Sequence, residues 1–199
     1  MWFGERTKFT GIKNYGDYSP SNRIIEENEV FILDVAPVYK GYTSDIGYTG
    51  VLGSNPDFTT AESDLLWFYD EMPKLFKKAQ TPSQLWHNID EKITKLGYEN
   101  IHKKYPFGVL GHRVHRVKSI LPQMHVFNFS LKAYSQFTKL GLFSQLLNQD
   151  YCGPLQGLWA IEPHLATESF GFKFEHLYLH SDGYSGLSLI HISEPTRPY

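Results

Sequence analysis

The stretch FILDVAPVYKGYTSDIGYTG, residues 31–50, decides the fold because it combines two strand-like halves with a short connection. Residues 29–36 are mostly apolar, and residues 42–52 are rich in Tyr, Thr, Ile and Val, a pattern typical of buried strands. Pro37 and Gly41 punctuate the connection. We therefore predict a β-hairpin in which each strand carries one aspartate, Asp34 and Asp45. A carboxylate in a buried strand needs a partner.

The register of this hairpin predicts where the two aspartates lie. Directly opposed residues of an antiparallel hairpin have a constant sum of positions, and a loop centred on Tyr39 and Lys40 makes that sum 79. Asp34 and Asp45 satisfy it. Their Cβ atoms would then lie about 4.5–5.5 Å apart on one side of the sheet. Like charges at that distance repel each other unless a cation lies between them.

The last third of the chain repeats this arrangement. Residues 157–165 and 170–183 read as two further strands, joined by a loop around Glu168. The positions of Glu162 and Glu175 sum to 337, which matches a loop centred on Glu168 and Ser169. We predict that these two glutamates also oppose each other across a hairpin.

Four carboxylates on two hairpins, together with the glycine-flanked His112, form an oxygen-rich donor set with one imidazole. Such a set suits hard or borderline divalent ions such as Mn²⁺, Co²⁺, Fe²⁺ or Zn²⁺, and four acids are enough to hold two ions. Taken alone, each acid is more typical of a turn or of a strand edge. Their joint placement on two apolar hairpins favours a metal site.

The remaining segments predict helices between the two hairpins. Thr59 and Glu62 form a capping box at the start of one helix, and a second helix begins at Thr81 and closes at Gly97. Residues 105–117 favour a strand or loop, whereas residues 128–148 are compatible with a helix. Four aromatic residues are assigned to the core, with an aromatic specificity pocket as the alternative: Trp159, Phe170, Phe172 and Phe174.

Composition excludes several classes of function. The chain has 199 residues, 41% hydrophobic content and a formal charge of −2, so we expect one globular domain and no nucleic-acid partner. With no apolar run near the length of a membrane span and no leader pattern, we expect no membrane partner and a cytoplasmic location. Residues 187–198 resemble a translated sequencing adaptor, so we place the domain at 1–186 and treat 187–199 as a non-native tail.

The order of these residues resembles that of the pita-bread metallopeptidases, which include methionine aminopeptidase, Xaa-Pro aminopeptidase, prolidase and creatinase. The resemblance rests on the eleven-residue spacing of Asp34 and Asp45, the GH of His112, the IEP around Glu162 and the KFEH around Glu175. It covers about residues 20–185. Residues 34–45 also resemble the D-x-x-P-x-x-x-G-Y-x-x-D pattern of the Xaa-Pro peptidase branch.

This resemblance implies an α+β pita-bread fold, with a curved antiparallel sheet, two pseudo-symmetric halves and helices on the outer face. It implies two divalent ions, with Mn²⁺ as the first choice. Asp34 would bind one ion, Asp45 and Glu175 would bridge both, and His112 and Glu162 would complete the other site. A water shared by the ions would be the nucleophile, and Glu162 would accept its proton.

Two departures from the family pattern qualify these expectations. Residues 111–115 read GHRVH where the family usually has GHGxG, so the floor of the pocket is bulkier and more basic. The family also has a histidine upstream of the first aspartate, and residues 1–33 contain none, so we expect the N-terminal part of the domain to be missing. His115 is a candidate for proton transfer or substrate contact, and His164 for contact with the oxyanion or substrate.

The first functional hypothesis is a dinuclear metal-dependent aminopeptidase or dipeptidase that acts on peptide substrates, including Xaa-Pro bonds, and that could form a homodimer. The second is a pita-bread binding protein without catalytic activity, which the absent upstream histidine favours. The third is a creatinase-like hydrolase of a non-peptide substrate. The complete set of five ligand positions favours the first hypothesis.

Overall fold

The computed structural model describes residues 1–19, 21–39, 42–115 and 145–187. Two α-helices lie in the first half of the chain, α1 (Pro56–Lys78) and α2 (Pro82–Lys95). The strands are β1 (Trp2–Phe3), β2 (Val30–Val35), β3 (Val38–Tyr39), β4 (Tyr42–Thr43), β5 (Ile46–Val51), β6 (Glu99–Asn100), β7 (Gly111–Arg113), β8 (Leu146–Leu147), β9 (Gly157–Ile161), β10 (His164–Ala166), β11 (Gly171–Lys173), β12 (His176–Ser181) and β13 (Tyr184–Leu187).

All of the strand pairs that the structure describes are antiparallel. A five-stranded sheet has the order β13-β12-β9-β7-β8, and two three-stranded sheets have the orders β1-β2-β5 and β11-β10-β6. The small pair β3-β4 extends the first hairpin. The predicted helix within residues 128–148 falls mostly outside the described residues, and its described end forms β8.

The first hairpin forms as predicted, but in a different register. Asp34 lies opposite Gly47, and Tyr39 lies opposite Tyr42, so opposed positions sum to 81. The prediction that Asp34 directly opposes Asp45 is therefore wrong. The hairpin is centred one residue further along the chain than Tyr39 and Lys40, and this displacement shifts the opposing strand by two residues. A shift of two still leaves Asp45 on the same side of the hairpin as Asp34, because side chains alternate with period two.

The second hairpin has the predicted register. His164 pairs with Lys173 and Ile161 pairs with His176, and both pairs sum to 337. Glu162 and Glu175 lie between these two ladder segments, where the strands separate. The backbone N–H of Glu162 donates to Leu110 instead, and Glu175 exchanges backbone hydrogen bonds with Gly47. The separation therefore opens a place for β5 to join the second hairpin.

The two helices cover the sheets with their buried faces. The helix α1 begins at Pro56, because the Asn55 side chain accepts from the N–H groups of Asp57 and Phe58; the predicted start at a Thr59–Glu62 capping box is wrong. The helix α2 begins after Thr81, as predicted, with the Thr81 hydroxyl accepting from Gln84. Buried side chains of both helices pack in one cluster with the sheets: Phe68, Met72, Phe76, Leu85, Ile89 and Ile93.

The aromatic residues of the second hairpin belong to this same core. Trp159, Phe170, Phe172 and Phe174 are each at most 6% exposed and lie in the main cluster, so the core assignment is confirmed. Burial of such rings stabilises the fold, since truncation of a buried Phe or Trp typically costs about 3–5 kcal/mol. No helix among the described residues combines the length and the apolar character that a membrane crossing requires.

Candidate metal centre

Three of the predicted acids surround the ammonium of Lys173. Its Nζ lies 2.6 Å from Asp34 Oδ2, 2.8 Å from Glu162 Oε2 and 3.1 Å from Glu175 Oε2. The Lys173 side chain is 4% exposed, and that of Glu175 is 3% exposed. This cluster joins the two hairpins, because Asp34 comes from the first and the other three residues from the second. Charge-assisted hydrogen bonds of this kind are among the stronger ones in proteins.

Backbone pairing places these side chains. Gly47 and Glu175 exchange two N–H to O=C hydrogen bonds of 3.0 Å each, which connect β5 to the second hairpin. Two residues after Gly47 and two before Glu175, the Thr49 hydroxyl donates to the Lys173 carbonyl at 2.6 Å and accepts from the Lys173 N–H at 2.8 Å. Lys173 and Glu175 are two residues apart in a nearly extended segment, so their side chains leave it on the same side.

Gly47 permits this close approach. A Cβ atom at this position would lie 2.8 Å from Glu175 Cβ, 3.1 Å from the Glu175 backbone nitrogen and 3.2 Å from Lys173 Cε. Contacts this short are not tolerated without movement of the backbone. The residue directly opposite Asp34 therefore has to lack a side chain.

A second group of ligand atoms lies beside the lysine cluster. Asp45, His112 and Glu175 each offer one ligand atom, and these atoms all lie within 4.8 Å of one another. His112 Nε2 is 3.2 Å from Asp45 Oδ2. His112 is placed by β7, which lies between β8 and β9. Two carboxylates and an imidazole at this spacing fit a single borderline divalent ion.

The charge balance of the centre also favours a further cation. Burial raises the pKa of the Glu162 carboxyl, and the nearby Lys173 only partly offsets this effect. Burial, and then the Glu162 charge, raises the pKa of Glu175 well above its usual range. Burial by itself would lower the pKa of Lys173, but Glu162 and Glu175 outweigh it, so the group stays an ammonium. One ammonium does not neutralise four neighbouring carboxylates.

The pKa of His112 also indicates that the centre attracts positive charge. Burial lowers its pKa, but the hydrogen bond and the charge of Asp45 outweigh burial and raise the pKa overall. A raised pKa means that the surrounding acids attract a positive charge at the imidazole. A divalent ion held by Asp45, His112 and Glu175 would supply that charge without a proton.

The sequence matches the profile of metallopeptidase family M24 over residues 9–182. The chain belongs to metallopeptidase family M24. The resemblance found in the order of Asp34, Asp45, His112, Glu162 and Glu175 is thereby confirmed at the level of the family. A search of curated proteins gave no match.

Solved structures share the fold of this M24 chain. A dipeptidase from Pyrococcus horikoshii OT3 has a TM-score of 0.60 and 19% identity, and an Xaa-Pro dipeptidase from Bacillus anthracis has 0.58 and 18%. A prolidase from Pyrococcus furiosus has 0.55 and 20%. In the order named, the matches cover 93%, 94% and 98% of this chain. They cover 44%, 44% and 48% of the dipeptidase, the Xaa-Pro dipeptidase and the prolidase chains. The α+β pita-bread fold is confirmed, and the chain spans less than half the length of these proteins.

The five predicted ligands of this M24 chain come together, but they divide into two sets. Asp34 and Glu162 bond to Lys173, Asp45 and His112 bond to each other, and Glu175 belongs to both sets. That all five bind metal stays a prediction.

The two additional histidines have different surroundings. His164 is 1% exposed; its Nδ1 lies 2.8 Å from the Tyr105 hydroxyl, and its Nε2 lies 2.7 Å from the Thr7 carbonyl. Both ring nitrogens thus have partners within the protein. His115 lies two residues beyond the end of β7 and is partly buried, and burial, with Arg113 and His112 nearby, lowers its pKa. A catalytic role for either residue stays a prediction.

Three residues that shape the centre were not predicted from the sequence: Lys173, Gly47 and Thr49. The signal for Lys173 was present, because a lysine two residues before Glu175 shares its face in the otherwise apolar segment FGFKFEH. A lysine in such a segment needs carboxylate partners. No comparable signal marked Gly47 or Thr49, whose partners lie in a hairpin far away in the sequence.

Proposed function

We propose that this M24 chain carries the catalytic centre of a metal-dependent peptidase that cleaves the first peptide bond of short peptides or dipeptides. The observation that carries the proposal is the compact ligand set of Asp45, His112 and Glu175, with Glu162 in the neighbouring cluster. The printed names of the three related structures, a dipeptidase, an Xaa-Pro dipeptidase and a prolidase, support this substrate class. They also make an Xaa-Pro peptide the first substrate to test.

Each residue of the centre has a proposed role in metal binding or in proton transfer. Asp45, His112 and Glu175 would hold a divalent ion, for which Mn²⁺ is our first choice, followed by Co²⁺, Zn²⁺ and Fe²⁺. A bound ion of this kind acidifies water and polarises a carbonyl oxygen. Glu162 is the general base, and Lys173 fixes the orientation of its carboxylate through Oε2. His115 is proposed to transfer a proton or to contact the substrate, and His164 to contact the oxyanion or the substrate, together with its partner Tyr105.

The ligand atoms of the centre fit one divalent ion better than they fit two. The described residues offer one set of three ligand atoms that a metal could join, whereas Asp34 and Glu162 direct carboxylate oxygens to Lys173. The expectation of two ions therefore rests on the family resemblance. A homodimer and a cytoplasmic location likewise stay predictions.

The test is hydrolysis of the dipeptide Ala-Pro by the 199-residue chain, with and without Mn²⁺, together with Mn²⁺ binding by calorimetry. The Asp45→Asn variant should lose both binding and hydrolysis. Glu62→Gln, which changes an exposed acid on α1, is the matched control and should keep both. A folded chain that binds no Mn²⁺ would contradict the proposal.

The two alternative functions predict other results. A binding protein without catalytic activity would bind Mn²⁺ or a peptide and hydrolyse nothing. A creatinase-like hydrolase would spare peptides and cleave a small amidino compound, with no loss of activity in the presence of a chelator. The compact ligand set favours the peptidase over both.

A further inference from the structure

We propose that the ammonium of Lys173 takes the place of a second metal ion, so that this centre binds one divalent ion per chain. The inference rests on the proposed function, because it concerns the same site. The position of Lys173 carries it. Nζ has three carboxylate oxygens at 2.6–3.1 Å, from Asp34, Glu162 and Glu175. Two of these acids, Asp34 and Glu175, are ones that the family resemblance assigns to the ion not held by His112.

Glu175 shows how the two cations would be related. Its Oε2 accepts from Lys173, and the same side chain is one of the three ligands grouped with Asp45 and His112. A carboxylate that bridges two metal ions has this kind of relation to both. Here one of the two positive charges is part of the protein.

The ammonium lowers the charge that the acids offer to a second ion. The ammonium and one divalent ion supply three positive charges against the four negative charges of Asp34, Asp45, Glu162 and Glu175. A second divalent ion would change the sign of the net charge and would lie next to the ammonium. Like charges about 4 Å apart repel strongly where the effective dielectric constant is low, so the second ion would bind at least about a hundredfold more weakly.

Lys173 is not free to leave the site easily. Its side chain is 4% exposed, and its backbone is held by Thr49 through two hydrogen bonds and by the pairing of β11 with β10. A Cβ atom at Gly47 would lie 3.2 Å from Lys173 Cε, so the lysine side chain packs closely over that glycine. Displacement by an incoming ion would expose or unpair a charge that the fold has buried.

The experiment counts Mn²⁺ ions bound per chain. Wild-type chain, Lys173→Met and the control Lys95→Met are titrated with Mn²⁺ in a calorimeter, and metal content is measured after dialysis. Lys95 pairs with Glu91 on the exposed side of α2, and none of the acids of the centre is its ion-pair partner. We expect one ion for wild type and for Lys95→Met. We expect two for Lys173→Met, with the second ion bound at least about a hundredfold more tightly than in wild type.

The possible results separate this inference from the proposed function. Two ions in the wild-type chain would overturn the inference and leave the metallopeptidase proposal in place. No ion in a folded wild-type chain would overturn both. A folded Lys173→Met variant that still binds one ion would also overturn the inference, because the lysine would then not be the cause. If Lys173→Met does not fold, Lys173→Gln replaces it and the same comparison applies.

Discussion

Gly47 and Glu175 are joined by two backbone hydrogen bonds of 3.0 Å, although they belong to different hairpins. This pair is the point at which the first hairpin, with Asp34 and Asp45, meets the second, with Glu162 and Glu175. The candidate metal centre therefore depends on a close contact between two backbones as well as on its acids.

Gly47→Ala should disturb both stability and metal binding. The added methyl group would lie 2.8 Å from Glu175 Cβ, so the hairpins have to move apart. We expect a loss of about 1–3 kcal/mol in the free energy of unfolding, measured by urea denaturation, and weaker Mn²⁺ binding. Gly16→Ala is the control, because its methyl group would meet only the Asn14 side chain at 3.1 Å. Equal effects of the two variants would contradict the assignment of Gly47 as the point where the two hairpins are in close contact.

Thr49→Val tests the second connection between the hairpins. The valine keeps the shape but removes a hydroxyl that donates to the Lys173 carbonyl and accepts from its N–H. Since both backbone groups are buried, we expect a loss of about 1–3 kcal/mol in unfolding free energy. Thr94→Val serves as the control, because that hydroxyl bonds the Asp90 carbonyl on an exposed helix face. A loss below that of Thr94→Val would argue against the connection.

The two aspartates should differ in their effect on metal binding. Asp45 belongs to the compact ligand set, whereas Asp34 bonds to Lys173. We expect Asp45→Asn to weaken Mn²⁺ binding more than about a hundredfold, and Asp34→Asn to weaken it about tenfold, as a supporting residue does. Calorimetry on both variants decides this. Equal losses would mean that Asp34 is itself a ligand.

His102 should make stability depend on pH. Burial lowers its pKa to about 3, and its Nε2 accepts from Asn100 at 2.8 Å, so the imidazole is neutral when folded. The unfolded chain takes up the proton near its ordinary pKa of 6.5. Stability is therefore fully present above that pH and falls as the pH drops towards the folded pKa, by about 1.4 kcal/mol per pH unit.

The measurement for His102 is urea denaturation at pH 7.5, 6.5 and 5.5. His102→Gln should lose less stability than the wild type between pH 6.5 and 5.5, and the remaining loss is expected from His164, whose pKa burial also lowers. His87→Gln, which removes an exposed imidazole on α2, should keep it. Parallel curves for wild type and His102→Gln would show that another group causes the dependence.

The registers of the two hairpins show what the sequence could predict and what it could not. The sum of 337 was predicted because the loop around Glu168 is short and its neighbours alternate clearly. The sum of 79 was wrong by two because strand periodicity fixes which side a residue faces, whereas the turn decides which residue it opposes. Asp45 therefore stayed on the predicted side of the sheet but did not oppose Asp34.

The sequence by itself determined the order and spacing of the five predicted ligands, the family, and the aromatic core, because these depend on local periodicity and residue type. The tertiary structure decided that Lys173 is the partner of Asp34, Glu162 and Glu175, and that Asp45, His112 and Glu175 form a separate set. Those choices depend on the pairing of Gly47 with Glu175, a contact between distant segments. Local pattern cannot specify it, because the energy that selects it comes from packing two hairpins against each other.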